Sequence, residues 1–315
     1  MVAVKNSGAA LAAGALVMNA LVWGVSWWPL RQLQDYGLHP LWASAAIYLA
    51  VFIVLLATYF RNLRDFVRHP MLWTLAFATG MTNIGFNWAV TVGDVVRVVL
   101  LFYLMPAWSV LVAWAVLDEK PSLASLLRLA LAMTGVLMVL KTPGSPWPVP
   151  QGGADWLALM GGLSFAITNA LLRKSRHAPT GARMLAMFGG GAVMASAAAL
   201  LGMSQQVVSS PALLPGSTGA AMLVLAGLTL AFFVSNIALQ YSAARLTAST
   251  TSLIMLTEIL FASASSAALG AAQLSPRILL GGSLIVLAAV LAALATANAA
   301  GVATADSARS VTEAK

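Results

Sequence analysis

One carboxyl group stands out by its surroundings. Glu258 lies within TTSLIMLTEILFASASSAAL, an otherwise uncharged stretch. It falls about thirteen residues into the apolar span 246–268, roughly 20 Å along a helix rising 1.5 Å per residue. In hydrocarbon such a carboxylate costs about 2.5–3.5 kcal/mol by insertion scales. It could partner the amine of a small molecule, exchange a proton, or stay protonated as a structural group bonded to hydroxyls such as Thr257. Carboxamides form a second set. Thr79, Asn83, Asn87 and Thr91 recur at spacing four, one stripe on one helix face, and Asn236 and Gln240 repeat that spacing later. A carboxamide donates to a carboxylate and accepts from an amine, which suits the polar end of an amino acid; the alternative is hydrogen-bonded glue between membrane helices. Aromatic residues form a third set. Trp23 and Trp27 share a helix face, Tyr103 and Trp108 flank Pro106, and Phe165 and Tyr241 stand in the second half. Such rings could stack on a flat apolar group or simply face lipid, as Trp73, Trp147 and Trp156 do by their place at the ends of apolar stretches. Pro106 removes a helix hydrogen bond and frees a carbonyl, making a gate hinge or a static kink.

The elements that position these residues follow from composition. Apolar residues make up 60% of the 315, charged residues 8%, and the mean hydropathy is +0.89. A soluble chain of this length needs far more charge on its surface. Apolar stretches of about 20 residues, enough to cross a bilayer, recur ten times: 10–30, 41–60, 71–92, 98–117, 122–140, 156–173, 183–203, 219–241, 246–268 and 277–295. The first follows Lys5 and is too long for the apolar part of a signal peptide. Short turns with proline separate many of them, among them His39-Pro40, His69-Pro70, Lys120-Pro121, Ala178-Pro179 and Ser275-Pro276. The predicted class is an all-α membrane protein of ten transmembrane helices. Residues 1–140 form one five-helix half and 156–295 the other. Residues 141–155 make the linker between them, and 296–315 a small polar tail read as disordered.

Charge fixes the orientation. Of the 17 Lys and Arg, only Arg31, Arg97, Lys141 and Arg277 fall in the loops of one side. The other 13 gather opposite, which predicts cytoplasmic termini and a periplasmic linker. The net charge of +8 therefore reflects loop placement; no basic helix with interleaved aromatics suggests nucleic acid. The halves also align. Asn83-Ile84 sets against Asn236-Ile237, Asn87 against Gln240, Trp88 against Tyr241, Leu104 against Leu256, and Trp23 against Phe165. With five helices per half, the second copy enters the bilayer from the opposite side, so the repeats are inverted.

On Trp23-Gly24, Pro106 and Leu117-Asp118-Glu119, the chain from about residue 10 to 295 resembles the EamA-type form of the drug/metabolite transporter superfamily. Arg97 to Ser109, RVVLLFYLMPAWS, is most similar to the aromatic amino acid exporters of the YddG type. The second half departs from the pattern. It has Gly270-Ala271 where the acidic loop residue would fall, and Glu258 at the position of Pro106.

The resemblance implies a multi-pass protein of the bacterial inner membrane that exports aromatic and other apolar amino acids or similar small metabolites by alternating access. Efflux of drugs or organic cations is the alternative within that class, and a membrane scaffold without substrate the alternative outside it. The expected substrate contacts are Trp23, Trp27, Asn83, Asn87, Tyr103, Trp108, Phe165, Asn236, Gln240, Tyr241 and Glu258, with Pro106 gating. An enzyme is not expected. The three histidines (His39, His69, His177) stand at the ends of apolar stretches, and no metal-protease or phosphate-loop motif occurs. Without cysteine there is no thiol chemistry, and no metal or cofactor is implied. The partners are a small molecule and the lipid bilayer.

Overall fold

The computed structural model describes residues 2–93, 95–141, 144, 150–270 and 275–313, and the side chains of these apart from 2–7, 90, 91, 95, 96 and 297–313. Most of the 141–155 linker, Trp147 and the side chain of Thr91 therefore lie outside the described residues.

Helices begin where the sequence supplies a start. Proline opens α3 (Pro40–Thr58), α5 (Pro70–Val92) and α14 (Pro276–Glu313), where its missing N–H is not needed. The imidazole Nδ1 of His39 also accepts from the Leu41 amide at 3.2 Å. Ser122 caps α8 (Leu123–Leu140) and Thr247 caps α12 (Ala248–Met255), each hydroxyl accepting a backbone N–H three residues on at 3.1 Å. The other helices are α1 (Val2–Val25), α2 (Trp27–Asp35), the short α4 (Leu63–Arg68), α6 (Val95–Phe102) and α7 (Met105–Leu117). In the second half they are α9 (Gly153–Lys174), α10 (Thr180–Ser204), α11 (Thr218–Ala243) and α13 (Thr257–Ala268). Among the described residues there is no strand.

Nine helical stretches among the described residues are long and apolar enough to cross a membrane. The chain is a multi-pass membrane protein. The helix Pro70–Val92 is as long as the nine but is not one of them. The polar residues that lower its hydropathy (Thr79, Thr82, Asn83 and Asn87) all face an internal cavity.

Two stretches that read as continuous in the sequence are broken near the middle. Leu104 separates α6 from α7, and Leu256 separates α12 from α13. The breaks fall at the two leucines that the sequence alignment of the halves pairs. Pro106 is the first-turn proline of α7, so it starts a half-helix instead of kinking the interior of a continuous one. The second break has no proline. Its amides are carried by tighter bonds from Leu256 to the Leu253 carbonyl at 3.3 Å and from Ile259 to the Leu256 carbonyl at 3.1 Å. α14 runs on to Glu313, through most of residues 296–315. Alanine, the best helix former, recurs through that segment.

Helices of the first half pack mainly on helices of the second. α1 lies on α11 and α13; α9 lies on α5 and α7; α3 crosses α10 and α8 crosses α14. Small residues set the closest approaches. A Cβ at Gly85 would stand 2.6 Å from the Gly161 Cα, and one at Gly190 only 2.0 Å from the Ala76 carbonyl oxygen. Gly189 and Gly191 meet the rings of Phe52 and Tyr48 in the same way, as the Gly189-Gly190-Gly191 run suggests.

Candidate functional site

The packing leaves a central cavity of about 100 Å³, well above the roughly 10–15 Å³ that admits one water. Both halves line it. α1 contributes Asn19 and Trp23, one helical turn apart. α5 contributes Thr79, Thr82, Asn83, Phe86 and Asn87 from one face. The α6–α7 break adds Phe102 and Met105, and the α12–α13 break adds Met255 and Glu258. Both interruptions of regular helix therefore border the same space.

The polar lining is organised around amides and one acid. Asn83 Nδ2 donates to the Thr79 carbonyl at 2.9 Å, and the Tyr48 hydroxyl lies within its reach. Asn87 Nδ2 donates to Ser44 Oγ at 3.0 Å. Across the cavity, Asn236 Oδ1 accepts from Gln240 Nε2 at 2.8 Å. Asn19 Nδ2 donates to the Ser235 carbonyl at 2.7 Å and to its hydroxyl at 2.6 Å. Asn19 Oδ1 is buried without a partner, an acceptor left for a guest. Glu258 is the one Asp, Glu, Lys, Arg or His among the described lining residues. It sits in the first turn of α13, directly after the break at Leu256. The Tyr103 hydroxyl is within hydrogen-bonding reach of its carboxyl.

Aromatic rings form the opposite character of the same wall. Trp23 stacks on Phe232 with centroids 4.4 Å apart. Phe102 meets Phe86 at 4.8 Å and Phe165 at 6.3 Å. These separations are those at which aromatic pairs attract. The result is a small chamber with flat apolar faces, carboxamide donors and acceptors, and a single carboxyl.

Of the residues expected from sequence, Trp23, Asn83, Asn87, Phe165, Asn236 and Glu258 line this cavity. The others do not. Tyr103 stands behind Glu258, itself buried. Trp27 opens α2 and points towards α13, its indole N–H bonded to Ser265 Oγ at 2.9 Å. Trp108 packs among Val112, Ala166 and Ala170. It lies beyond the break, so α7 no longer continues the α6 register that would aim it inward. Gln240 and Tyr241 lie one turn past Asn236 and open onto a different pocket. The sequence reading missed Asn19, Tyr48, Phe86, Phe102, Phe188 and Phe232. Asn19 carried a usable signal, being a carboxamide four residues before Trp23. The aromatics carried none, because a lone Phe in an apolar helix does not reveal which way it faces.

At the ends of this site two ion pairs tie the halves together. Glu119 Oε1 meets Arg173 Nε at 2.6 Å, and Arg173 also donates to the Leu246 carbonyl. At the other end Asp155 meets Arg97 at 3.5 Å. Arg97 and Asp155 begin α6 and α9, and Glu119 and Arg173 end α7 and α9, so α6–α7 and α9 run parallel.

This is the architecture of a helical membrane protein built around a polar and aromatic chamber. Residues 10–141 match the EamA-like transporter family. No curated protein sequence matches the chain. Eighteen solved chains match it. One crystal structure, described only as that of a protein, superposes with a TM-score of 0.68 over 92% of this chain and 99% of its own, at 17% identity; that likeness shows the fold alone.

Proposed function

We propose that the protein is a secondary transporter of the bacterial inner membrane that exports aromatic and other apolar amino acids, or similar small metabolites, by alternating access. The observation that carries this reading is the central chamber, lined from both halves by carboxamides, one carboxyl and stacked aromatic rings. A zwitterionic head finds donors in Asn83 and Asn87 and an acid in Glu258; a flat side chain finds Trp23, Phe165 and Phe232. The match of residues 10–141 to a transporter family supports the same class.

In this reading the chain crosses the membrane ten times, as two inverted five-helix repeats with cytoplasmic termini. Three features support it. The breaks at Leu104 and Leu256 fall at aligned positions. Asn83 and Asn236, and Trp23 and Phe165, are aligned pairs that line one cavity. The packing also survives exchange of the halves: α1 on α11 and α13 becomes α9 on α5 and α7. Sites at such a repeat interface, beside discontinuous helices, suit alternating access.

A second reading has its own observation. One carboxyl among aromatic faces is also the recognition chemistry of an organic cation. Counterflow in proteoliposomes, with labelled Phe and Trp against a labelled quaternary ammonium compound, separates the two. Counterflow of the amino acids supports the first reading, and of the cation alone the second. Absence of all three leaves a membrane scaffold.

A further inference from the structure

A second pocket, of about 560 Å³, opens between the α9–α10 turn, the start of α10 and the end of α11. Its chemistry is unlike that of the central chamber. Arg176, Arg183 and Arg245 line it together with His177, Gln240 and Tyr241, and no carboxylate lines it among the described residues. Arg176 and Arg245 are exposed, but Arg183 is only 6% exposed. One of its guanidinium nitrogens donates to Thr180 Oγ1 at 3.2 Å, while Nε and Nη1 are buried without a partner. A buried guanidinium without an anion is costly. Arg245 worsens the imbalance, since it lies close enough for its like charge to act on Arg183. Arg245 is also held in place: its guanidinium lies 3.7 Å over the Tyr241 ring, and Nη1 donates to the Tyr241 carbonyl at 2.9 Å. Arg176 Nε donates to His177 Nε2 at 3.1 Å.

We propose that this pocket binds a phosphate-type anion. Three guanidinium groups exceed what one carboxylate can match. A phosphate or phosphate ester presents more oxygens and more charge, and arginine forks bind it in paired hydrogen bonds. The buried Gln240 Oε1, also without a partner, would accept from a hydroxyl on the anion or its ester. Two sources carry this chemistry: a free phosphate compound, or the headgroup of an anionic phospholipid, which basic pockets between membrane helices hold. The assignment is independent of what the central chamber carries.

The test uses the purified full-length protein in neutral detergent. Thermal unfolding midpoints are titrated with inorganic phosphate against chloride at equal ionic strength, and with phosphatidylglycerol against phosphatidylcholine. Stabilisation by inorganic phosphate assigns a free anion; stabilisation by phosphatidylglycerol alone assigns a headgroup. Either supports the site, provided R183Q and R245Q each weaken the effective probe by about tenfold or more, the size expected for loss of a charge-assisted bond, while R61Q does not. If R183Q does not fold, R245Q, at an exposed position, decides the matter. The proposal is overturned if neither probe exceeds its control, or if R245Q binds as tightly as the unaltered protein.

Discussion

Gly24 sits at a close contact beside the central chamber, between the lining residues Trp23 and Glu258. A Cβ built on it would stand 2.6 Å from the Glu258 carbonyl oxygen and 2.7 Å from the Phe261 Cβ. Both obstacles are backbone or the root of a side chain, so neither can swing aside. Carbon atoms are comfortable at about 3.5–4.0 Å, so Gly24→Ala must push α1 and α13 apart by roughly 1 Å. Overpacking of this kind costs about 1–3 kcal/mol. Gly227 provides the control. It too lies inside a helix, α11, but a Cβ there meets nothing within 4 Å. Gly227→Ala keeps the gain of about 0.5–1 kcal/mol from replacing a helical glycine, and Gly24→Ala has the same gain set against the clash. The two alanine variants should therefore differ by about the whole overpacking term, 1–3 kcal/mol. The measurement is thermal unfolding in detergent, paired with counterflow of labelled Phe in proteoliposomes. Gly24→Ala is expected to unfold earlier than Gly227→Ala and to lose counterflow, because its neighbour Trp23 and the facing Glu258 are displaced from each other. If Gly24→Ala equals Gly227→Ala in stability and retains full counterflow, the close contact does not hold the chamber together.

Three further outcomes are expected. Asn83→Leu and Asn87→Leu should each weaken amino acid binding by about tenfold to a hundredfold, the worth of one charge-assisted hydrogen bond of about 1.5–3 kcal/mol; unchanged counterflow would make the stripe packing glue. Glu258→Gln keeps shape and hydrogen bonding but cannot carry charge. It should weaken amino acids more than their deaminated analogues, and equal loss for both would remove the carboxyl from amine recognition. Single cysteines at Ser145 and Arg64, in a chain with none of its own, should label from opposite faces of the membrane; labelling of both from the periplasm would refute the ten-pass topology.

What the sequence disclosed depended on whether a residue's role is set by type or by direction. Spans were readable because length and apolarity alone define them, and Pro40, Pro70 and Pro276 mark true starts. Asn83, Asn87, Asn236 and Glu258 were readable because a polar group in an apolar helix needs an inward partner wherever it lies. Trp27, Trp108, Gln240 and Tyr241 lie off the cavity for separate reasons. Trp108 follows the break at Leu104, where one helix ends and another starts; the Trp27 indole is bonded to Ser265; Gln240 and Tyr241 lie further along the unbroken α11 than Asn236 and border another pocket. The second break was hidden more deeply, because no proline announces it.

The two breaks agree in backbone and differ in chemistry, and the difference is what gives the chamber its polarity. At α7 the first turn is occupied by Pro106, which lacks an N–H and terminates the preceding helix by its own geometry. At α13 the aligned position is Glu258. There the interruption is held by the packing of α1, whose Gly24 lies directly on the Glu258 carbonyl. That leaves the first-turn position free for a carboxyl. In the proposed inverted-repeat architecture, a frame of two equivalent halves offers two equivalent ways to open, one to each side of the membrane. A chamber equally symmetric would hold a small amphipathic molecule in either of two poses. With the acid at one broken helix only, and the carboxamides of α5 and α11 apart from it, the proposed guest has a single orientation whichever side is open. On this reading the symmetry serves the motion, and its one local failure, at Glu258, serves recognition.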